Sequence, residues 1–543
     1  MLNILLLVSI LTSYVRRIEC LEQRIPSRVA VTSHVLPLVA APYARPYSIP
    51  SSKFLDKRFS RTPIRLPPNP MLHNADKNPI SDIQSDVDTL GGRVYMTNIS
   101  IGGLQYSVII DTGSSDTWLA LSNFQCVSKY TTSVIPQERC GFGTLYDQNA
   151  SSTFVEIPNH RFATSYTDGE FLSGKLGTEE LGIGGPDEDL VKVRQTIGVV
   201  ERGYWNGDGI SSGLVGLAYS GLVSHGKELG YTSFIFTLFE NTTIPPVFSL
   251  ALSRPTDANP TAGGLLAIGG IPDIAHDENF VTVPIRPLYA KNYALYAIKV
   301  DGFDIEPPAL NTSRYFASDL KSYTITSSSP SSTSLPTHRK SRSLTSAKPS
   351  RSPRPKAKTP NSSPAPSAPP VLRVPPHLHK TPRQVIRPPN ADPNSTILFA
   401  SNLTMVIDSG TTLLYVPDDI AERIASLFVP RAIYAVNTNT YMVPCSASPP
   451  RIGIVIGGRS FYIHPDDLMN RAPGAVGGGG AVWVNENGET ENVGTSGAGG
   501  LCTLAVQRQG LGDAVLGDSW LKNVLAVFDV GANEMRFAAR ENY

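Results

Sequence analysis

The feature that most constrains this chain is an approximate internal duplication: Val108-Ile109-Ile110-Asp111-Thr112-Gly113-Ser114-Ser115 and, about 300 residues on, Met405-Val406-Ile407-Asp408-Ser409-Gly410-Thr411-Thr412. Each copy is an apolar run that enters Asp, hydroxyl, Gly, hydroxyl. A buried strand of that kind delivers a carboxylate at its end. The glycine permits a tight turn, and the flanking hydroxyls can hydrogen-bond the carboxylate. Each copy also has a later apolar-Gly partner, Leu214-Val215-Gly216-Leu217 and Val515-Leu516-Gly517-Asp518. Two similar lobes are implied, each presenting one Asp. A single Asp-Thr-Gly is most often only a turn, but two copies in matching context point to paired carboxylates.

With 543 residues and 41% hydrophobic content the chain can bury a large core and should divide into more than one compact unit. Its net charge of +1 is unevenly spread, because residues 320–391 hold thirteen Lys and Arg and no Asp or Glu. That basic stretch is rich in Ser and Pro and poor in aromatics. Residues 320–398 are therefore expected to be a disordered insertion that cannot repay its ordering entropy by burial. A solvated spacer is favoured there over a nucleic-acid, polysaccharide or membrane contact, and no nucleic-acid partner is expected.

From Gly91 the texture is one of short alternating runs punctuated by glycines, such as Val94 to Ile99 and Tyr106 to Ile110, which reads as strands and hairpins. The class is mostly β. The best helical signal spans Asp418 to Phe428, after Pro417. Strand texture resumes at Thr396-Ile397-Leu398-Phe399 and runs toward Asp408.

Ile4 to Val15 is an apolar run of signal-peptide length, too short to span a bilayer, so residues 1–20 are assigned to an export signal. Residues 21–88, rich in Pro and Arg and net basic, are assigned to a propeptide, with Lys57-Arg58 as a dibasic processing candidate. If Cys20 leaves with the signal, Cys126, Cys140, Cys445 and Cys502 remain. Three pairings are possible. Cys126 with Cys140 and Cys445 with Cys502 are preferred because neither crosses a lobe boundary. Seven Asn-x-Ser/Thr sequons fit an exported glycoprotein.

The paired motifs and their apolar-Gly partners resemble those of the pepsin family of aspartic proteases, and the likeness extends from about residue 89 to Tyr543 apart from the basic stretch. It implies a bilobal, mostly β fold, with an N-terminal lobe over 89–246, a C-terminal lobe over 247–543 and an active-site cleft between them. Ser165 to Gly174 resembles the family's flap hairpin, which implies substrate contact by Tyr166, Asp168 and Gly169. Trp118, seven residues past Asp111, matches the tryptophan that bonds the flap tyrosine. Thr167 stands where the family usually has Gly.

The resemblance further implies Asp111 and Asp408 as the catalytic dyad. Ser114 and Thr411 would bond the outer carboxylate oxygens, Thr112 and Ser409 would cross-brace the loops, and Gly113 and Gly410 would let them approach. It implies protein or peptide substrates, no cofactor or metal, and a monomer that meets its own propeptide, secreted or held in a vacuole or cell wall. The nine histidines show no metal-ligand spacing, and there is neither a Walker loop nor a G-x-S-x-G elbow. The alternative is an inactive binding or inhibitor protein on the same fold. Intact motifs argue against it.

Overall fold

In the computed structural model of the chain the described residues are 29–41, 94–166, 169–184, 190–255, 259, 261–288, 292–308, 396–398, 403–435, 440–471, 482–484, 490–492, 501–510 and 512–540. All belong to one compact unit made of residues 1–308 and 383–543. The signal segment, most of the propeptide and of the basic insertion, and Thr167 and Asp168 of the expected flap lie outside them.

The chain is mostly β, as its alternation requires. Ten strands of the first half are β1 (Val35–Ala41), β2 (Val94–Ile101), β3 (Leu104–Asp111), β4 (Thr117–Cys126), β5 (Val155–Ser165), β6 (Phe171–Ile183), β7 (Val191–Tyr204), β8 (Gly213–Gly216), β9 (Val247–Leu252) and β10 (Ala262–Ile268). They join one 13-stranded sheet. It begins with Val281–Pro284, Glu534–Ala539 and Val524–Asp529 and continues β9-β10-β1-β2-β3-β8-β4-β7-β6-β5. The sheet therefore holds strands from both sides of Pro245-Pro246, and C-terminal strands lie in it beside β9.

β1 falls within the segment assigned to a propeptide. Its residues alternate, with Leu36, Leu38 and Ala40 buried, and it pairs antiparallel with both β10 and β2. The segment thus contains a strand placed inside the sheet, a periodicity too short to stand out in a Pro-rich surround. Thr396–Leu398, counted with the insertion, is likewise a strand paired to Gly302–Glu306. A separate strand, Thr404–Ile407, leads into Asp408. The helical signal appears as Asp418–Ser426, with Pro417 at its N-cap.

One hydrophobic cluster joins the two halves, from Tyr95, Val108 and Ile110 to Tyr296, Ile407, Leu516 and Trp520. Phe248 of β9 stacks on Phe528 with ring centroids 4.4 Å apart, and Tyr296 donates its hydroxyl to the Leu217 carbonyl at 2.6 Å. Cys126 is bonded to Cys140 and Cys445 to Cys502, the preferred pairing.

Arg254, just past β9, reaches Asp467 at 2.6 Å, and Lys522 reaches the other oxygen of Asp467 at 2.7 Å. Burial opposes the Asp467 charge, yet the two cations together hold its carboxyl below the usual carboxylate range. Removing one member of such a buried set strands the others. Asp467→Asn should lower unfolding free energy by about 3 kcal/mol, read as a drop in urea midpoint with unchanged slope.

Candidate active site

Asp111 ends β3, and Asp408 follows Thr404–Ile407. Beside each runs a parallel partner: Asp111 lies opposite Gly216 of β8, and Ile407 opposite Leu516 of the strand Val515–Leu516. The duplicated sequence thus gives two matching corners. A Cβ on Gly216 would lie 2.5 Å from backbone of Ser115, so only glycine lets this strand pass the Asp111 turn.

The corners are tied by reciprocal bonds. Ser409 N–H donates to Thr112 Oγ1 at 2.9 Å, and Thr112 N–H to Ser409 Oγ at 3.2 Å. Each hydroxyl then donates across to the opposite strand, Thr112 Oγ1 to the Ile407 carbonyl and Ser409 Oγ to the Ile110 carbonyl, both at 3.0 Å. Either residue must be a hydroxyl, since each both accepts and donates; Ser serves as well as Thr.

Each carboxylate is held alike. Gly113 N–H donates to Asp111 Oδ1 at 2.7 Å and Gly410 N–H to Asp408 Oδ1 at 2.9 Å. Ser114 Oγ donates to Asp111 Oδ2, and Thr411 Oγ1 to Asp408 Oδ2 at 2.6 Å. A Cβ on Gly113 would lie 2.5 Å from Asp408 Oδ1, and one on Gly410 would meet Asp111 Oδ1 just as closely. Each glycine is therefore the floor on which the opposite carboxylate rests.

Both carboxyls are fully buried. Burial raises the proton affinity of each, and for Asp408 the neighbouring Asp111 charge adds to it. The bonds from Ser114 and Gly113 partly restore the ionised form of Asp111. The two carboxyls act on one another, so the pair titrates as one unit and keeps a proton above the ordinary carboxylate range.

Tyr166 follows β5 and accepts a hydrogen bond from Trp118 Nε1 at 2.9 Å. Burial, then the charge of Asp111, pushes its hydroxyl well above its ordinary value, so it is a neutral donor near the dyad. Gly169 adopts φ +90° and its N–H donates to the Tyr166 carbonyl at 2.9 Å, closing the hairpin turn. Asp168 lies outside the described residues.

Several contributors were not legible beforehand. Trp205 packs edge-on against Trp118 and Tyr166, with centroids 5.0 and 5.6 Å away. It is one of four tryptophans in the chain, and that rarity was its one signal. Glu170 is buried at the flap base, where its Oε1 accepts the Asn206 N–H at 2.6 Å. Asp518 is buried with neither carboxyl oxygen hydrogen-bonded, and burial holds it well above the usual range. Asp116 is satisfied by the Tyr231 hydroxyl at 2.6 Å and Ser224 N–H at 3.0 Å.

Two outcomes follow. Gly410→Ala should cost about 1–3 kcal/mol by overpacking against Asp111, measured as a lower denaturation midpoint. Asp111, Asp408, Asp116 and Asp518 all bind a proton more tightly folded than unfolded. The folded state then holds more protons, and stability falls as pH rises above the unfolded carboxylate range. The melting temperature should be lower at pH 7.5 than at pH 5; a rise would contradict the raised proton affinity of these buried groups.

Compared with known proteins, residues 94–338 and 391–540 match the family described as eukaryotic aspartyl protease. A probable aspartic-type endopeptidase of Aspergillus fumigatus is 30% identical over 91% of this chain and 87% of its own length. Secreted aspartic protease 4 of Candida albicans is 28% identical over 39% of this chain and 47% of that protein. Rhizopuspepsin-5 of Rhizopus niveus is 28% identical over 38% of this chain and 46% of that protein. These two matches span about half of each relative.

Proposed function

Because the chain belongs to the eukaryotic aspartyl protease family and is an aspartic-type peptide hydrolase, we propose that Asp111 and Asp408 are its catalytic dyad. The observation that carries this reading is the reciprocal brace through Thr112 and Ser409, which holds two buried carboxyls within hydrogen-bonding reach of one another. Water between them loses a proton to the ionised carboxylate as its oxygen attacks the scissile carbonyl carbon. The protonated partner gives its proton to the carbonyl oxygen, forming a gem-diol. Collapse breaks the C–N bond, with a proton passing to the departing amine. Ser114, Thr411 and the two glycine N–H groups keep each carboxylate turned inward.

Tyr166, carried by the β5–β6 hairpin and held by Trp118, serves as the flap residue over an extended peptide, with Gly169 in its turn; Asp168, outside the described residues, is proposed as a further substrate contact. The shared proton supports acidic operation. So does the charge balance: without residues 1–88 and the basic stretch, 23 Lys and Arg stand against 39 Asp and Glu.

Residues 1–20 act as an export signal and 21–88 as a propeptide; the latter reading must accommodate β1, whose loss would open the sheet between β10 and β2. The lobes divide near residue 246. Relatives named as secreted and the exposed sequon residues Asn98, Asn149 and Asn241 support secretion. Among the described residues no helix is long and apolar enough to cross a membrane.

The test is cleavage of denatured haemoglobin at pH 3–6 by the processed chain and by Asp111→Asn and Asp408→Asn. Each substitution should reduce turnover by at least ~10²–10⁴-fold, and pepstatin should inhibit the wild type. Inactive, folded wild type would favour a binding protein instead.

A further inference from the structure

β5, the leading strand of the hairpin that carries Tyr166, is the edge of the 13-stranded sheet and, among the described residues, pairs with β6 alone there. Its ladder is interrupted. Glu156 pairs with Gly177 and Arg161 with Lys175, so residues 157–160 slip out of register, and Asn159 turns to φ +65°. A slip of this kind leaves residues unpaired in the ladder, and side chains from another segment support them here.

That support is a cluster of two imidazoles around one carboxylate. His225 Nδ1 lies 3.1 Å from Glu228 Oε2, and its Nε2 lies 2.8 Å from the Arg161 carbonyl oxygen. His160 Nδ1 lies 3.1 Å from the Pro158 carbonyl oxygen, and its Nε2 is at ion-pair distance, 3.6 Å, from the same Glu228 oxygen. The two rings meet edge to face at 5.6 Å. Carbonyls and an ionised carboxylate only accept hydrogen bonds, whereas a neutral imidazole has one N–H to give. His225 has an acceptor within hydrogen-bond distance of both nitrogens, an arrangement met in full only by imidazolium, and His160 adds one such contact and an ion-pair contact to the same carboxylate.

We propose that His160 and His225, with Glu228, are positioning residues for the flap, fixing the interrupted stretch of β5 when the imidazoles are protonated and releasing it as pH rises. The proposal rests on the dyad reading for its consequence in catalysis, while the cluster itself stands on this geometry. Imidazole is the side chain whose ordinary charge change lies between about pH 5 and 8, so pH is the variable that tests the support.

The remaining charges around the cluster agree with this. Asp116 is buried and feels the His225 charge. It is also bonded to the Ser224 N–H next to His225. The Arg161 guanidinium turns away to Glu201 at 3.0 Å, and Lys175 pairs with Glu156 at 3.0 Å. Lys227 follows within the helix Gly226–Leu229, which carries Glu228. Because Ser224 leads directly from Asp116 to His225, the cluster joins the segment after Asp111 to the strand that leads to Tyr166.

The experiment compares the processed wild type with the double variant His160→Gln, His225→Gln, and with Glu228→Gln in case the double variant folds poorly. On a peptide substrate, kcat/KM of each variant should fall roughly two- to fivefold below wild type at pH 5, mainly through KM, and the gap should close by pH 7. A ratio independent of pH would overturn the proposal. In an Asp111→Asn background, melting temperature gives a readout without catalysis: the deficit of each variant should be present at pH 5 and absent at pH 7.5. An equal deficit at both values would also overturn it. If every form is inactive yet the pH-dependent deficit persists, the dyad reading fails and the cluster stands.

Discussion

The structure depends on the reciprocal hydroxyl brace between Thr112 and Ser409. Two strands end facing each other in the interior, where N–H and C=O groups cannot turn to water. Each loop satisfies the other with a side chain that accepts from an amide and donates to a carbonyl. That exchange sets the spacing of the corners, and so brings Gly113 against Asp408 and Gly410 against Asp111. The carboxyls have no freedom to separate, and their shared proton is the electrostatic result.

From that centre the first half extends outward as a layered support. Trp118 lies a short step beyond Asp111 and bonds Tyr166, while Trp205 packs against both. Glu170 ties the hairpin base to Asn206, and Gly207 N–H donates to the carbonyl of disulfide-bonded Cys140 at 3.1 Å. Asp116 continues the Asp111 turn toward His225 and the leading strand of the hairpin. The hairpin is thus held at its base by packing and burial, and along β5 by the two imidazoles around Glu228.

The second half is fastened to the first less by symmetry than by a common sheet and core. C-terminal strands lie beside β9, Tyr296 reaches back to Leu217, and Asp467 gathers Arg254 and Lys522. Asp518 is among the groups left without local hydrogen bonds, a buried carboxyl close enough for the dyad charges to act on it. A proton removes most of its cost.

The sequence by itself determined the duplicated corners, the mostly β class, the identity of the two carboxylates and their hydroxyl and glycine neighbours, and the preferred cysteine pairs. Those signals are local or repeated: a strand's apolar run, a turn's glycine, a motif met twice. It did disclose strand texture at Thr396–Leu398, but not that Val35–Ala41 joins the sheet inside a Pro-rich segment, because seven residues carry too little periodicity. Only the tertiary structure decided which distant groups meet. Trp205 against Tyr166, Asp467 between two cations, and His160 with His225 around Glu228 each depend on chain separations or a register slip that no local pattern encodes, since contact is set by how strands cross rather than by neighbouring residues.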